Sequence, residues 1–231
     1  MFRAKFIKNI VYDGEHLRAY GRSGNLTPVF ARQGDLDGAC AVYSLMMMLI
    51  FHKKLDWEDL NDSERANGNW FVYRIQEQFL HRFRSLCLGG YVIHKLSNKL
   101  NQCFGVNLSE AFTLIPGTSQ TINRQELHQK IKAQLDARKP VLIGFGRKSE
   151  IGHAVVAVGY CKETRNRLRL FCLDPARVLS YMQIWNNVID LDYLSKDDSA
   201  LTDINYLENE KVLVRDFLII HDTPPKPECP F

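Results

Sequence analysis

The sequence predicts an α+β fold, with helices in the first part of the chain and an antiparallel sheet in its last third. Two patterns predict it. Between residues 41 and 139 the apolar residues recur at helical spacing in long stretches, whereas from Val141 onward short β-branched or apolar runs are separated by turn and charged residues. Helices first and strands afterwards are the signature of two subregions meeting at a cleft, not of alternating βαβ units. The 231 residues, 45% hydrophobic and 24% charged, suffice for one sizeable core. The expected organisation is one domain over residues 1–222 and an extended or disordered tail, TPPKPECPF, over 223–231.

Taken in order, the first 30 residues alternate short apolar stretches with Gly, Asn and Pro and read as a strand followed by an irregular lead-in. From Ala41 the run AVYSLMMMLIFHK has no breaker and is long enough for a buried helix of about three to four turns. Further helices are expected in WFVYRIQEQFLHRFRSL, in YVIHKLSNKLNQCF and in TINRQELHQKIKAQLDARK, the last stopped by Pro140. The runs VLIGFG, HAVVAVGY, RLRLFCLD, IWNNVIDLD and KVLVRDFLIIHD then read as strands.

Composition removes several function classes. Thirty Lys and Arg against 26 Asp and Glu give a net charge of +4, and the basic residues are spread too evenly for a nucleic-acid partner. The N-terminus lacks the apolar core of a signal peptide, and the run from Leu45 to Phe51 is too short to span a bilayer, so neither export nor membrane anchoring is expected. None of the six cysteines forms a CxxC pair or a metal-ligand spacing with histidine. Reduced thiols, no metal and no organic cofactor are therefore expected. Met46, Met47 and Met48 point about 100° apart on one helix and read as core. Asp35 and Asp37 lack a histidine partner; Asp37 is a helix-cap candidate.

Three segments carry chemistry. Cys40 falls where a loop becomes the long apolar helix, and the unpaired N–H groups and positive dipole end of a helix N-terminus stabilise a thiolate. Gly38 and Ala39 keep the approach to it small, and Gln33, seven positions upstream, can donate with the Cys40 N–H to a developing oxyanion. His153 opens an apolar strand after Gly152, and Asp174 ends the next one before Pro175, 21 residues later. If those strands pair in an antiparallel hairpin, Asp174 accepts from one imidazole nitrogen and leaves the other for the thiol. Cys87, Cys103, Cys161 and Cys172 read as core thiols, and His16, His52, His81, His94, His128 and His221 lack comparable context. Trp70, Phe71 and Tyr73 fit either a substrate groove or helix packing.

The order of Gln33, Cys40 at a helix start, Gly152-His153 at a strand mouth and Asp174 at the end of the next strand resembles the papain-like superfamily. More narrowly, His153-Ala154-Val155-Val156 and Leu173-Asp174-Pro175-Ala176 are similar to the bacterial double-glycine peptidases that trim leader peptides. The resemblance covers roughly residues 28 to 190. It implies a papain-like fold with Cys40 as nucleophile, His153 as general base, Asp174 as the group that orients the histidine and Gln33 as oxyanion donor. It also implies a protein substrate cut after small residues, especially Gly. The chain is similar as well to bacterial effector toxins and their deamidase relatives, which implies a cytoplasmic protein or one delivered into a target cell, with a cognate inhibitor or immunity protein as partner. The same machinery hydrolyses peptide bonds, deamidates glutamine or transfers an acyl group, and an inactive fold of this kind would be a protein-binding module. Peptide hydrolysis ranks first among them.

Overall fold

The computed structural model describes residues 3–33, 39–61, 69–81, 93–104, 112–118, 124–146, 152–162, 167–180, 183–192, 201–204 and 209–222. The tail expected over 223–231 lies outside them, as do Gly34, Asp35, Asp37, Gly38 and Cys87.

Helix α1, Cys40–Phe51, buries every residue except Tyr43. A helix apolar on all sides needs neighbours on all sides, so this one forms the centre about which the other elements pack. It stops where Lys53 takes a left-handed conformation, and the N–H groups of Lys53 and Lys54 close back on the carbonyls of Ile50 and Leu49, each at 2.8 Å. Further helices among the described residues are α2 at Glu58–Asn61, α3 at Trp70–Tyr73, α4 at Ile93–Phe104 and α5 at Arg124–Asp136. Asn69 caps α3 by accepting from the N–H groups of Phe71 and Val72, and the helix runs on as a π-helical stretch over Arg74–His81. The α4 and α5 regions match the amphipathic patterns in the sequence.

The strands are β1 Ala4–Phe6, β2 Val11–Tyr12, β3 Leu17–Tyr20, β4 Leu26–Pro28, β5 Phe112–Thr118, β6 Val141–Gly146, β7 His153–Lys162, β8 Arg167–Leu173, β9 Asn187–Asp192, β10 Leu201–Ile204 and β11 Asn209–Asp222. Among the described residues, β6 to β11 form a closed circuit of antiparallel neighbours, β6–β7–β8–β9–β10–β11 and back to β6. Strand β1 adds to β7, and β5 adds to β11. The α+β class expected from the sequence is the class observed, helical region first and antiparallel sheet after it.

Three groups of strands escaped the sequence pattern. The lead-in is not irregular: β2, β3 and β4 form a separate three-stranded antiparallel sheet, buried through Leu17, Ala19 and Thr27. Strands of two to four residues are too short to show a period. Strand β5 lies inside the region read as helical and contains Pro116 and Gly117, which normally argue against a strand. Among the described residues it pairs with β11 alone, so its other edge asks no donor of Pro116, and Gly117 leaves room for the Phe217 ring, 2.2 Å from where a Cβ would stand. Strand β10 lacks the apolar run that marks its neighbours.

Gly159 lets β1 lie against β7. A Cβ there would stand 2.4 Å from Phe6 Cδ1 and 2.6 Å from the Lys5 carbonyl, and a backbone atom cannot move aside alone. Gly159→Ala is therefore expected to destabilise by about 1–3 kcal/mol in chemical denaturation. Gly152→Ala, whose nearest obstacle is the Phe145 carbonyl at 3.6 Å, is expected to stay within about 0.5 kcal/mol of the parent.

Candidate active site

The N-terminus of α1 and the first residue of β7 meet at one place. Ser44, one turn after Cys40 and on the same helix face, donates from Oγ to the carbonyl of Ala154 at 3.1 Å, and both groups are buried. That bond fixes the height of the helix against the strand beside His153. The Cys40 thiol is hydrogen-bonded to the His153 side chain. No side chain caps α1 from Ala39 and no acid sits in its first turn, so its positive end is not offset there.

The pairing of β7 with β8 brings the third group in. Val156 faces Leu173, which places the start of β7 and the end of β8 at the same sheet edge. His153 Nε2 donates to Asp174 Oδ1 at 2.6 Å. An ionised carboxylate only accepts, so Nε2 carries the hydrogen and Nδ1 is the nitrogen that serves Cys40. Phe145, opposite His153 on β6, sets its ring edge-on to the imidazole with centroids 5.5 Å apart and restricts the imidazole's rotation.

Asp174 is 1% exposed, so its charge must be matched where it sits. Oδ1 also accepts from the Ala176 N–H at 2.9 Å; Oδ2 accepts from Asn187 Nδ2 at 2.7 Å and faces Arg177 Nε at 3.3 Å. The backbone is held as firmly. Asn186 Oδ1 accepts from the Asp174 N–H at 2.6 Å while its Nδ2 donates to the Asp174 carbonyl at 2.8 Å. Trp185, stacked on Phe6 at 5.6 Å and against Phe171 at 4.9 Å, anchors the segment that delivers these two asparagines.

The electrostatics follow from that geometry. Burial pushes the His153 pKa down, but hydrogen bonds with Asp174 and Cys40, and their charges, outweigh it and raise it to about 10. Burial likewise pushes Asp174 up, and the hydrogen bond and charge of His153, with the Ala176 N–H and Arg177, hold it below its usual value. The site holds His153 as an imidazolium between Asp174 and Cys40.

Each sequence candidate can now be placed. Cys40, His153 and Asp174 come together. Gln33 reaches the same turn, its N–H donating to the Pro175 carbonyl at 2.8 Å. Cys40 is 5% exposed, less open than its small neighbours suggested, and the His153 side chain is 25% exposed, so solvent reaches the pair from the histidine. Cys103, Cys161 and Cys172 are buried thiols as expected, and Met46 to Met48 are core. Phe71 is packed inside, while Trp70 and Tyr73 stand about half exposed. Arg177, Asn186 and Asn187 hold Asp174; of these, the adjacent asparagines opening the strand after the Asp-Pro turn are the signal visible in the sequence.

The raised histidine makes a measurable expectation. The folded protein keeps on His153 a proton that the unfolded chain releases above about pH 6.5. The stabilisation from this pair is thus complete below about pH 6.5 and lost as the pH climbs towards 10. In an NMR titration the His153 ring should remain cationic at pH 8, with a midpoint near 10 that moves down in Asp174→Asn. A midpoint near 6.5 in the parent would contradict the assigned pairing.

The sequence profile of the Peptidase_C39 like family matches residues 27–190, well over half of the chain and a span that holds Gln33, Cys40, His153 and Asp174. No curated protein gives a significant sequence match. Among solved structures, the crystal structure of UfSP from C. elegans is similar at 12% identity and a TM-score of 0.44 over 96% of this chain. The chain spans about a third, 34%, of that structure's length, and so distant a likeness assigns neither fold detail nor activity. On the profile match, the chain belongs to the Peptidase_C39 like family.

Proposed function

We propose that the protein is a papain-like cysteine peptidase acting on a protein substrate, with Cys40 as nucleophile, His153 as general base and acid, Asp174 as the orienting group and Gln33 as an oxyanion donor. The observation that carries the reading is the His153 imidazole held by buried Asp174 on one nitrogen and hydrogen-bonded to a helix-start thiol. Membership of a peptidase family supports it. Among the described residues no helix is long and apolar enough to cross a membrane.

The chemistry follows in two halves. With the Cys40 proton already held on His153, the sulfur bonds to the carbonyl carbon of the scissile amide. The oxygen gains negative charge against the Cys40 N–H and the Gln33 amide. The C–N bond then breaks as His153 gives its proton to the leaving amine, which leaves a thioester. Water attacks the thioester, His153 removes its proton, and the carboxylic acid departs with the thiol restored. Asp174 moves no proton; it keeps the ring in the tautomer and rotamer that both halves use.

Intact mass spectrometry of a peptide pool separates the reactions this machinery can perform. Fragments are expected, with small residues, Gly above all, before the cut bond, and none with Cys40→Ala. A gain of about one dalton without cleavage would identify glutamine deamidation instead, and an unchanged pool would indicate a binding module. Bulky or charged residues before the cut would remove the preference for Gly.

Side-chain replacements should rank in a fixed order of initial rate. His153→Ala lacks both the imidazolium and the proton donor and should keep almost nothing. Asp174→Ala frees the ring and should fall next. Asp174→Asn keeps an acceptor for the imidazole N–H but turns an amide donor towards Asn187 and Arg177, so a loss of about tenfold to a hundredfold is expected. Circular dichroism checks folding in each variant. Parent-like rates in Asp174→Ala would reduce Asp174 to a turn residue.

A further inference from the structure

We infer that the groove beside the candidate site binds an apolar side chain of the substrate on the leaving-group side of the scissile bond; the inference rests on the peptidase reading above. The groove holds about 280 Å³ and its apolar walls are Tyr12, Leu17, Pro28, Phe30, Val178 and Leu179. That is just under the size that encloses a drug-sized ligand, about 300 Å³ and above, and it suits one or two side chains of a polypeptide. Glu15, His16 and Arg32 bring charges of both signs to its lining, so selection falls to the apolar walls and not to a net charge.

Its position decides which part of a substrate it meets. Around the carbonyl carbon attacked by Cys40 stand three groups: the oxygen, the amide nitrogen and the Cα of the acyl residue. The oxygen points to Gln33 and the Cys40 N–H, and the nitrogen points to His153, which must protonate it. The acyl Cα takes the remaining direction, away from both. A chain leaving through the nitrogen therefore runs across the surface that Gln33 and the His153–Asp174 pair share. The Gln33 N–H to Pro175 carbonyl bond joins those two sides. One wall of the groove is the segment that leads into Gln33, with Pro28, Phe30 and Arg32; another is the segment that leaves Asp174, with Val178, Leu179 and Ser180; the stretch from Tyr12 to Leu17 supplies the rest. A glutamine side chain losing ammonia would have nothing to place there, whereas a polypeptide would.

The test uses the full chain and peptides with one fixed acyl half, varied to Gly, Leu, Phe or Lys at each of the first positions after the cut. The readout is the ratio of kcat/KM for Leu or Phe over Gly, taken within one enzyme so that a general loss of activity cancels. At one position the parent should prefer Leu or Phe by about tenfold or more. Val178 is 66% exposed, so Val178→Asp should fold; its ratio should collapse and turn towards Lys. Phe30→Ala should lower the same ratio without the turn to Lys. A parent ratio near one at every position, or a ratio untouched by Val178→Asp, would overturn the inference while leaving the peptidase reading in place. A parent enzyme that cleaves no peptide, although iodoacetamide labels Cys40, would overturn both.

Discussion

The thiol and the imidazole belong to elements far apart in sequence, and their meeting depends on how a helix buried everywhere but at Tyr43 lies on one strand. Ser44 and Ala154, separated by 110 residues, make that contact. A serine hydroxyl inside an otherwise apolar helix needs an acceptor, and leaving one unmade in a core costs about 1–3 kcal/mol. The bond thus acts as a register pin: sliding α1 along β7 would strand the hydroxyl before it moved the thiol away from His153. Close packing of Leu45, Met48 and Leu49 on all sides resists rotation of the same helix.

The second constraint is a carboxylate buried at a strand end. Asp174 stays charged in a dry position because His153, Ala176, Asn187 and Arg177 all direct donors at it. The sheet supplies these from three places: the start of β7, the turn after β8 and the start of β9. Because β8 pairs with both neighbours, the turn and the two strand ends are parts of one rigid edge. The imidazole is therefore oriented by the fold of the sheet as much as by one residue, with Arg169 and Asp190 joined by two bonds of 2.8 and 2.9 Å between β8 and β9 further along.

The small β2–β3–β4 sheet has its own anchor. Arg22 donates to both oxygens of fully buried Asp59 at 3.0 and 2.9 Å, and Ser23 donates to buried Asp56. Gly21 makes this approach possible, since a Cβ there would fall 2.1 Å from Asp56 Oδ1. This network ties the sheet to α2, and the chain leaving the sheet then carries Phe30, Arg32 and Gln33 to the turn at Pro175. The far end of α1 carries another histidine–carboxylate pair, His52 Nδ1 with Asp222 Oδ2 at 3.3 Å, beside Lys54 and Lys139. The hydrogen bond from His52 and the nearby lysines hold Asp222 well below the usual carboxylate range. It joins the helix to the end of β11.

The sequence by itself determined what local chemistry can announce. A breaker-free apolar run specified α1, and a cysteine at its head and a Gly-His and an Asp-Pro at strand ends marked the groups that meet. These signals are legible because each depends on near neighbours in the chain. Gln33 was legible only as a polar loop residue upstream of the cysteine, and the structure brings it to the Asp174 turn through its backbone. Tertiary structure alone decided the rest. Pro116 sits in a strand that, among the described residues, is paired along one edge, and the two-to-four-residue strands of the lead-in exist because partners complete them. Asn186, Asn187 and Arg177 became holders of Asp174 because the turn after β8 and the start of β9 fold over one buried charge. The adjacent asparagines are visible in the sequence but their role is not, since a buried charge draws its partners from whatever segments packing places around it.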